Sequence, residues 1–123
     1  MATLDNRVFD NGLTTLDTEA NKVLVTSQEA STYAEANSTY ALGNSTSLSI
    51  GAPADRSGGG RKVAVASITD GSVTGTGTAT HYALVDTNNS RLLATGALTA
   101  SQAVTSGNTF TLATFDIGIP DPA

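Results

Sequence analysis

The chain has 123 residues, a net charge of −5 and a sequence pI near 4.4, which fits one domain, since domains commonly hold about 100–150 residues. Its six basic residues are too few for the cationic surface that nucleic-acid binding requires. Cysteine is absent, which excludes disulfides, thiolate metal sites and a cysteine nucleophile.

The sequence also argues against a membrane partner or a secretory signal. No segment approaches the roughly 20 consecutive apolar residues of a membrane-spanning helix. The amino-terminal residues lack the basic start and the apolar run of a signal peptide.

The first predicted element is a helix over residues 3–19, with Asp5 or Asn6 as its candidate N-cap. Its apolar residues follow helical spacing: Val8, Leu13 and Leu16 lie near one stripe, with Phe9 beside them. We divide the chain into an amino-terminal helix or arm, residues 1–20, and one β-rich domain, residues 21–123. Two roles stay open for the segment from Leu4 to Leu16. It either crosses onto a neighbouring subunit as an arm or caps one end of the β domain.

The next segments predict short elements separated by loops. Residues 22–26 have the β-branched, apolar character of a strand. Residues 29–40 are polar and alanine-containing, and predict one or two helical turns with a capping box that ends at Glu35. Residues 46–51 alternate as a short strand would. A proline and a glycine triplet then predict a flexible loop over residues 52–61.

From residue 62 onward the chain is a nearly continuous β region. Asp70-Gly71 predicts a type I′ hairpin turn. Residues 73–86 predict one strand, with threonines along one face and small residues along the other, where another sheet or chain can approach closely. Residues 86–91 predict the return to a partner strand, and residues 106–108 predict another turn.

The last strand has a break in its alternation. Phe110 and Leu112 lie on one parity, whereas the apolar residues from Phe115 to Ile119 lie on the other. A bulge or kink near residues 113–114 keeps both sets directed inward. The whole pattern predicts a mainly antiparallel β-sandwich or barrel-like domain with a short amino-terminal helix.

Candidates for catalysis or metal binding are few. His81 is the single histidine, and as a catalytic base it needs a nucleophile and an orienting acid within reach. No Gly-x-Ser-x-Gly motif accompanies it, and one histidine without cysteine leaves too few preferred ligands for zinc. We therefore predict a structural role for His81, no catalytic residue, no metal, no cofactor and no enzymatic activity.

The one local concentration of positive charge is formed by Arg56, Arg61 and Lys62, which surround the glycine triplet. The spacing does not match a phosphate-binding P-loop, because that motif places Lys directly after its last glycine. The cluster is either a docking contact for an acidic neighbour or a solvated loop beside the start of a strand.

Several segments together resemble small structural proteins encoded among the virion genes of tailed bacteriophages and prophages. These segments are Asn6–Leu13, Tyr33–Asn44, Ala79–Asp86, Ser90–Leu98, Val104–Leu112 and Phe115–Pro122. They cover most of the chain and are clearest in its carboxyl-terminal half. No catalytic residue carries over from this group.

The resemblance implies a capsid decoration, or cement, protein on the head surface of the virion, made in the cytoplasm of the bacterial host. Its implied partners are the major capsid protein and neighbouring copies of itself, with a trimer as one candidate assembly. Thr-rich strands with open backbone edges offer strand addition as a docking route. The candidate contact residues are Leu4, Val8, Phe9, Leu13, Leu16, Arg56, Arg61 and Lys62. The alternatives are a tail, neck or fibre-base component and a carbohydrate-binding β-module, which the absence of tryptophan disfavours.

Overall fold

The computed structural model describes residues 6–120, without the side chains of Asn6, Val8 and Phe9. The fold is mainly β, with a curled antiparallel sheet and a short amino-terminal helix, which confirms the predicted fold class. In chain order the elements are α1 (Asn6–Glu19), β1 (Lys22–Thr26), a single π-helical turn (Glu35–Thr39), β2 (Ala41–Ser45), β3 (Ala54–Asp55), β4 (Arg61–Val65), β5 (Ile68–Val73), β6 (Gly77–Asp86), β7 (Arg91–Val104), β8 (Thr109–Leu112) and β9 (Phe115–Ile119).

The described strands form two antiparallel sheets. The large sheet has six strands in the order β7-β6-β1-β2-β5-β8, and it curls into a half-barrel. The small sheet has three strands in the order β3-β4-β9. The hairpin that joins β6 to β7 and the turn at residues 106–108 lie where the sequence predicts them.

The main hydrophobic core is shared by both sheets and α1. The large sheet contributes side chains such as Val25 and Phe110, the small sheet contributes Val63 and Val65, and α1 contributes Leu13. A second, smaller cluster of buried apolar side chains contains Leu24, Ala30, Ala36, Ala83 and Val85. Strand β1 lies between the two clusters. Because alternate side chains enter opposite clusters, β1 is buried on both faces.

The predicted break near residues 113–114 is where the chain passes from one sheet to the other. Strand β8 pairs with β5 in the large sheet, and β9 pairs with β4 in the small sheet. The Thr114 hydroxyl donates a 2.7 Å hydrogen bond to the Val65 carbonyl and fixes the crossing. Phe110 is buried, and Phe115 and Ile117 pack against the same core, so the change of parity directs these side chains inward, whereas Ile119 is 36% exposed.

The predicted hairpin turn at Asp70-Gly71 is wrong. Both residues lie inside β5, whose pairing with β8 is irregular between Ile68 and Gly71. The strands on either side of the predicted turn, β4 and β5, belong to different sheets. Gly71 is required for packing, because a Cβ atom there would overlap the ring of Phe110. The glycine therefore serves a close approach of a ring to the backbone and not a turn.

Two predicted strands also differ from those observed. Residues 46–51 contribute only an isolated bridge between Ile50 and Val65, and the regular strand is β2, just before them. Residues 73–86 are not one strand, since β5 ends at Val73 and β6 begins at Gly77. The pairing of β6 with β7 shifts register between Ala79 and His81. Ala79 and Leu84, which the predicted alternation puts on opposite faces, both enter the main core.

Candidate interaction surfaces

The glycine triplet closes a tight hairpin where the sequence predicts a flexible loop. Strands β3 and β4 pair through Ala54 with Lys62 and through Asp55 with Arg61. All three glycines have positive φ, between 88° and 105°, a conformation that glycine adopts without steric cost. The hairpin determines where its cationic side chains point.

Arg61 is bound to carboxylates of its own chain. Its Nε lies 2.9 Å from Asp10 Oδ1 on α1, and its Nη1 lies 2.7 Å from Asp55 Oδ1 on β3. Hydrogen bonds from the guanidinium to Asp10 and then to Asp55 raise the pKa of Arg61 above its ordinary value. The Asp10 carboxylate connects the helix to the hairpin. Arg61 is therefore a structural link between three elements.

Lys62 lies on the outer face of the small sheet, since adjacent strand residues point to opposite faces, and Arg56 lies beside it. Lys62 Nζ lies 2.9 Å from Asp116 Oδ2 on β9. Arg56 Nη1 donates to the carbonyl of Gly59 at 3.1 Å and approaches that of Ser57 at 3.5 Å. Together with Gly118 these side chains line a shallow polar hollow of about 380 Å³. The structure thus separates Arg61 from the other two members of the predicted basic cluster.

The apolar candidates on the helix divide into two groups. Leu13 and Leu16 are 1% and 8% exposed and belong to the main core, so they pack inside their own chain. Leu4 and the side chains of Val8 and Phe9 lie outside the described residues. The packing of α1 against the core agrees with a helix that caps the domain.

His81 lies next to Thr80, which fastens a loop to β6. Its Nδ1 lies 2.8 Å from the Thr80 hydroxyl, and its Nε2 lies 4.0 Å from Glu29 Oε2. The same Thr80 hydroxyl donates to the Ser27 carbonyl at 2.9 Å. The Thr80–Ser27 hydrogen bond holds the segment after β1 against β6.

Asp86 organises the turn between β6 and β7. The side chain is buried, with 2% exposure. One carboxylate oxygen accepts the backbone N–H of Asn88 at 2.9 Å, and the other accepts the Asn89 side-chain amide at 2.7 Å. Hydrogen bonding, first from the Asn89 side chain, lowers the pKa of Asp86 below its ordinary value. The carboxylate is therefore a turn-forming group that is held ionised.

A cleft of about 270 Å³ opens between β7 and the segment that joins β8 to β9, and it is a feature that the sequence analysis missed. At its base the rings of Tyr82 and Phe115 lie 4.3 Å apart, tilted by 40°, and burial raises the pKa of Tyr82. Gln102 Nε2 donates to the Thr111 carbonyl at 3.0 Å, linking the two edge strands of the half-barrel. The cleft is thus the incompletely closed seam of the curled sheet. Its walls come from β7 and β8, which lie at opposite edges of the large sheet. The alternation of side chains along one strand does not predict which edges approach each other, so the sequence could not reveal this cleft.

Comparison with known proteins identified no relative: no protein-family model, no curated protein and no solved structure matches the chain. Within residues 6–120, no helix has the length and apolar character needed to cross a membrane. The same part of the chain contains no group of three or more histidine, aspartate or glutamate side chains placed to hold a metal ion.

Proposed function

We propose that the protein is a structural component of a tailed-bacteriophage virion, specifically a decoration protein that binds the outer surface of the head and stabilises it. The proposal rests on the resemblance of its segments to small phage structural proteins. In this role each copy makes modest contacts with the capsid and with neighbouring copies. Repetition over a symmetric shell converts such contacts into strong overall attachment.

The observation that best supports the proposal is that polar side chains of the protein hold its own elements together. Arg61 joins the helix to the small sheet, Asp86 forms the β6–β7 turn, and Thr80 ties the loop after β1 to β6. Among the described residues, no buried side-chain nitrogen or oxygen lacks a hydrogen-bond partner. These polar side chains are engaged in building a scaffold, which suits a protein whose product is an assembled surface.

The segments that carry the resemblance also form a connected part of the fold. Ala79–Asp86 and Ser90–Leu98 supply most of the β6–β7 hairpin, and Val104–Leu112 with Phe115–Pro122 supplies β8 and β9 on either side of the crossing. We place no capsid contact at Leu13 or Leu16, because both are buried in the chain's own core. The exposed outer face of the small sheet, with Arg56 and Lys62, stays a candidate contact.

The test is to measure the abundance and location of the protein in purified virions of a phage that encodes it. Quantitative mass spectrometry is expected to give on the order of hundreds of copies per particle, as symmetric decoration of a head requires. Cryo-electron microscopy is expected to place density of this fold outside the capsid shell. About a dozen copies or fewer, located at the tail or neck, would instead identify the alternative structural role.

A binding experiment separates decoration from simple co-purification. Purified protein added to heads from a deletion strain is expected to bind to saturation and to raise the temperature at which the heads release DNA. Bovine serum albumin, also acidic, serves as the control for non-specific binding. Heads that neither contain the protein nor bind it would overturn the proposal.

A further inference from the structure

The cleft beside β7 is formed by two interruptions of regular strand geometry. In the β6–β7 ladder, residues 98–101 of β7 stand opposite the single residue Thr80 of β6. This bulge supplies much of one wall of the cleft, and Ala113 and Thr114, at the crossing from β8 to β9, belong to the other wall. Bulges are common beside functional sites, where they re-aim the chain. The cleft is therefore a candidate binding site.

The base of the cleft offers an aromatic surface and one hydroxyl group. Tyr82 and Phe115 both line it, with their ring centroids 4.3 Å apart. The ring of Tyr82 lies over Gly96, where an added Cβ atom would come within 2.7 Å of the tyrosine hydroxyl oxygen. Burial raises the pKa of Tyr82, and no hydrogen bond contributes to that shift. A buried tyrosine hydroxyl usually has a partner. Among the described residues none bonds to this one, so the group is available to a ligand.

The walls of the cleft add further hydrogen-bonding groups. At the centre of the bulge, Thr99 and Ala100 take no part in the β6–β7 ladder and make no backbone hydrogen bond elsewhere within residues 6–120. The side-chain amide of Gln102 uses one N–H for the Thr111 carbonyl and has a second N–H to donate. A purely apolar ligand would separate these groups from water without replacing their hydrogen bonds, which costs free energy. A suitable ligand therefore carries several hydrogen-bonding groups as well as an apolar face.

Charge and shape limit the ligand further. None of the described residues that line the cleft is charged, so an ionic ligand would lose hydration without gaining an ion pair. The volume of about 270 Å³ lies just below the range of roughly 300–1,000 Å³ that is typical of sites for drug-sized molecules. The Gln102–Thr111 hydrogen bond crosses the seam, and the bulge breaks the regular ladder that an added strand requires. A compact, neutral ligand therefore fits the cleft better than an extended peptide.

We infer that the cleft is a binding site for one neutral pyranose sugar residue. A pyranose has an apolar face of C–H groups, which suits the Tyr82–Phe115 pair, and a rim of hydroxyl groups that both donate and accept hydrogen bonds. These hydroxyl groups bond to the Tyr82 hydroxyl, to the Gln102 amide and to the backbone of the bulge. The absence of tryptophan argues against a large, flat sugar platform, whereas a single ring needs only the smaller aromatic surface at the base of this cleft.

The sugar site goes beyond the proposed virion role and does not rest on it. Sugar binding is measured on the purified chain without capsids, and attachment to heads is measured without sugars. A protein that binds heads but no sugar, or a sugar but no heads, therefore overturns only one of the two proposals.

The test is an NMR titration of the isotope-labelled full chain with the methyl glycosides of glucose, galactose, mannose and N-acetylglucosamine. At least one is expected to bind with a dissociation constant on the order of 1 mM, as suits a ligand of this size. Saturable shifts are expected at the Gln102 side-chain amide and at the backbone amides of residues 98–101, and not at Lys62 in the polar hollow. The absence of such shifts with all of these glycosides would overturn the inference, as would tighter binding in the cleft of indole or glucuronic acid.

A pair of phenylalanine variants provides the matched control. Because the Tyr82 hydroxyl has no partner among the described residues, Tyr82→Phe is expected to fold as the parent does. It is expected to bind the glycoside about tenfold more weakly, the usual effect of one lost hydrogen bond. Tyr33→Phe makes the same change beside the smaller buried cluster, away from the cleft, and is expected to bind as the parent does. Thermal unfolding checks that both variants are folded, and equal affinity of the two for the glycoside contradicts the inference.

Discussion

Two glycines with the same backbone conformation have different surroundings. Gly60 and Gly107 both have φ near +90°, where any residue with a Cβ is strained. A Cβ at Gly60 would overlap the carbonyl oxygen of Ile119, whereas a Cβ at Gly107 would meet nothing within 4 Å. The pair therefore separates the cost of backbone strain from the cost of a steric clash with β9.

The first prediction compares alanine substitutions at these two glycines. Gly107→Ala is expected to lower the free energy of unfolding by about 1–2 kcal/mol, the usual cost of a left-handed conformation. Gly60→Ala is expected to cost a further 1–3 kcal/mol or so, because the hairpin must also move away from β9. Urea unfolding at neutral pH measures both. Equal losses of unfolding free energy would show that β9 moves away from the added methyl group at little cost, and would contradict the predicted clash.

The second prediction concerns the dependence of stability on pH through Asp86. Because its pKa is lower in the folded protein than in the unfolded chain, its ionised form stabilises the fold. That contribution is complete above the unfolded pKa near 3.8 and is lost as pH falls through the lower folded pKa. We expect Asp86→Asn to be less stable than the parent chain at pH 7, and the difference to shrink below about pH 4.

Urea unfolding of both proteins at pH 7, 5 and 3 measures this difference. Glu35 supplies the comparison, because hydrogen bonds from Ser31 also lower its pKa, yet it lies in a different segment. A double variant, Asp86→Asn with Glu35→Gln, should show the two pH-dependent losses adding together. A difference between parent and Asp86→Asn that is constant from pH 7 to pH 3 would contradict the role of the carboxylate.

At the scale of elements, the described part of α1 is held by two buried leucines, Leu13 and Leu16, and by ion pairs that include Asp10–Arg61 and Glu19–Arg91. Leu13 enters the main core, and Asp10, three residues earlier, receives Arg61 from β4. Asp10 is partly exposed, so the ion pair contributes little by itself. The stability of the docked helix therefore depends mainly on its leucines.

The third prediction tests the docking of α1. Leu13→Ala is expected to lower the free energy of unfolding by about 2–5 kcal/mol, as for other buried leucines. Thr14→Ala, at the adjacent exposed position, is expected to change it by less than about 0.5 kcal/mol. Thermal and urea unfolding measure both. Comparable small effects would indicate that the helix leaves the core easily, as an arm would.

The elements that the sequence predicts correctly are those with a local signal. The helix, β1, the β6–β7 turn and the change of parity between Phe110 and Phe115 each follow from a short pattern. The predicted turn at Asp70-Gly71 was wrong because this dipeptide, which favours a turn, also fits a strand in which the Phe110 ring packs over the glycine. The register shift in β6 has no local signal, because the partner strand β7 decides it. At the basic hairpin, the sequence locates the cations, but the partner of Arg61, Asp10, lies 51 residues away.

At the scale of the molecule, the two sheets are joined through one core. Val63 on the small sheet and Val25 on the large sheet belong to the same buried cluster, and Tyr82 and Phe115 bring a ring from each sheet into contact. Neither sheet has an apolar core of its own on that side. We therefore expect the small sheet and the large sheet to unfold together.

The fourth prediction follows from this shared core. Val63→Ala removes two methyl groups from a side chain that is 1% exposed and is expected to cost roughly 2–3 kcal/mol. Because the core is common, the most protected amides of β1 and β4 should lose the same free energy of exchange. Native-state hydrogen exchange measures both strands in one experiment, with Ala64→Ser at the adjacent exposed position as the control. Loss of protection confined to β3, β4 and β9 would show instead that the small sheet opens as a separate unit, leaving the half-barrel folded.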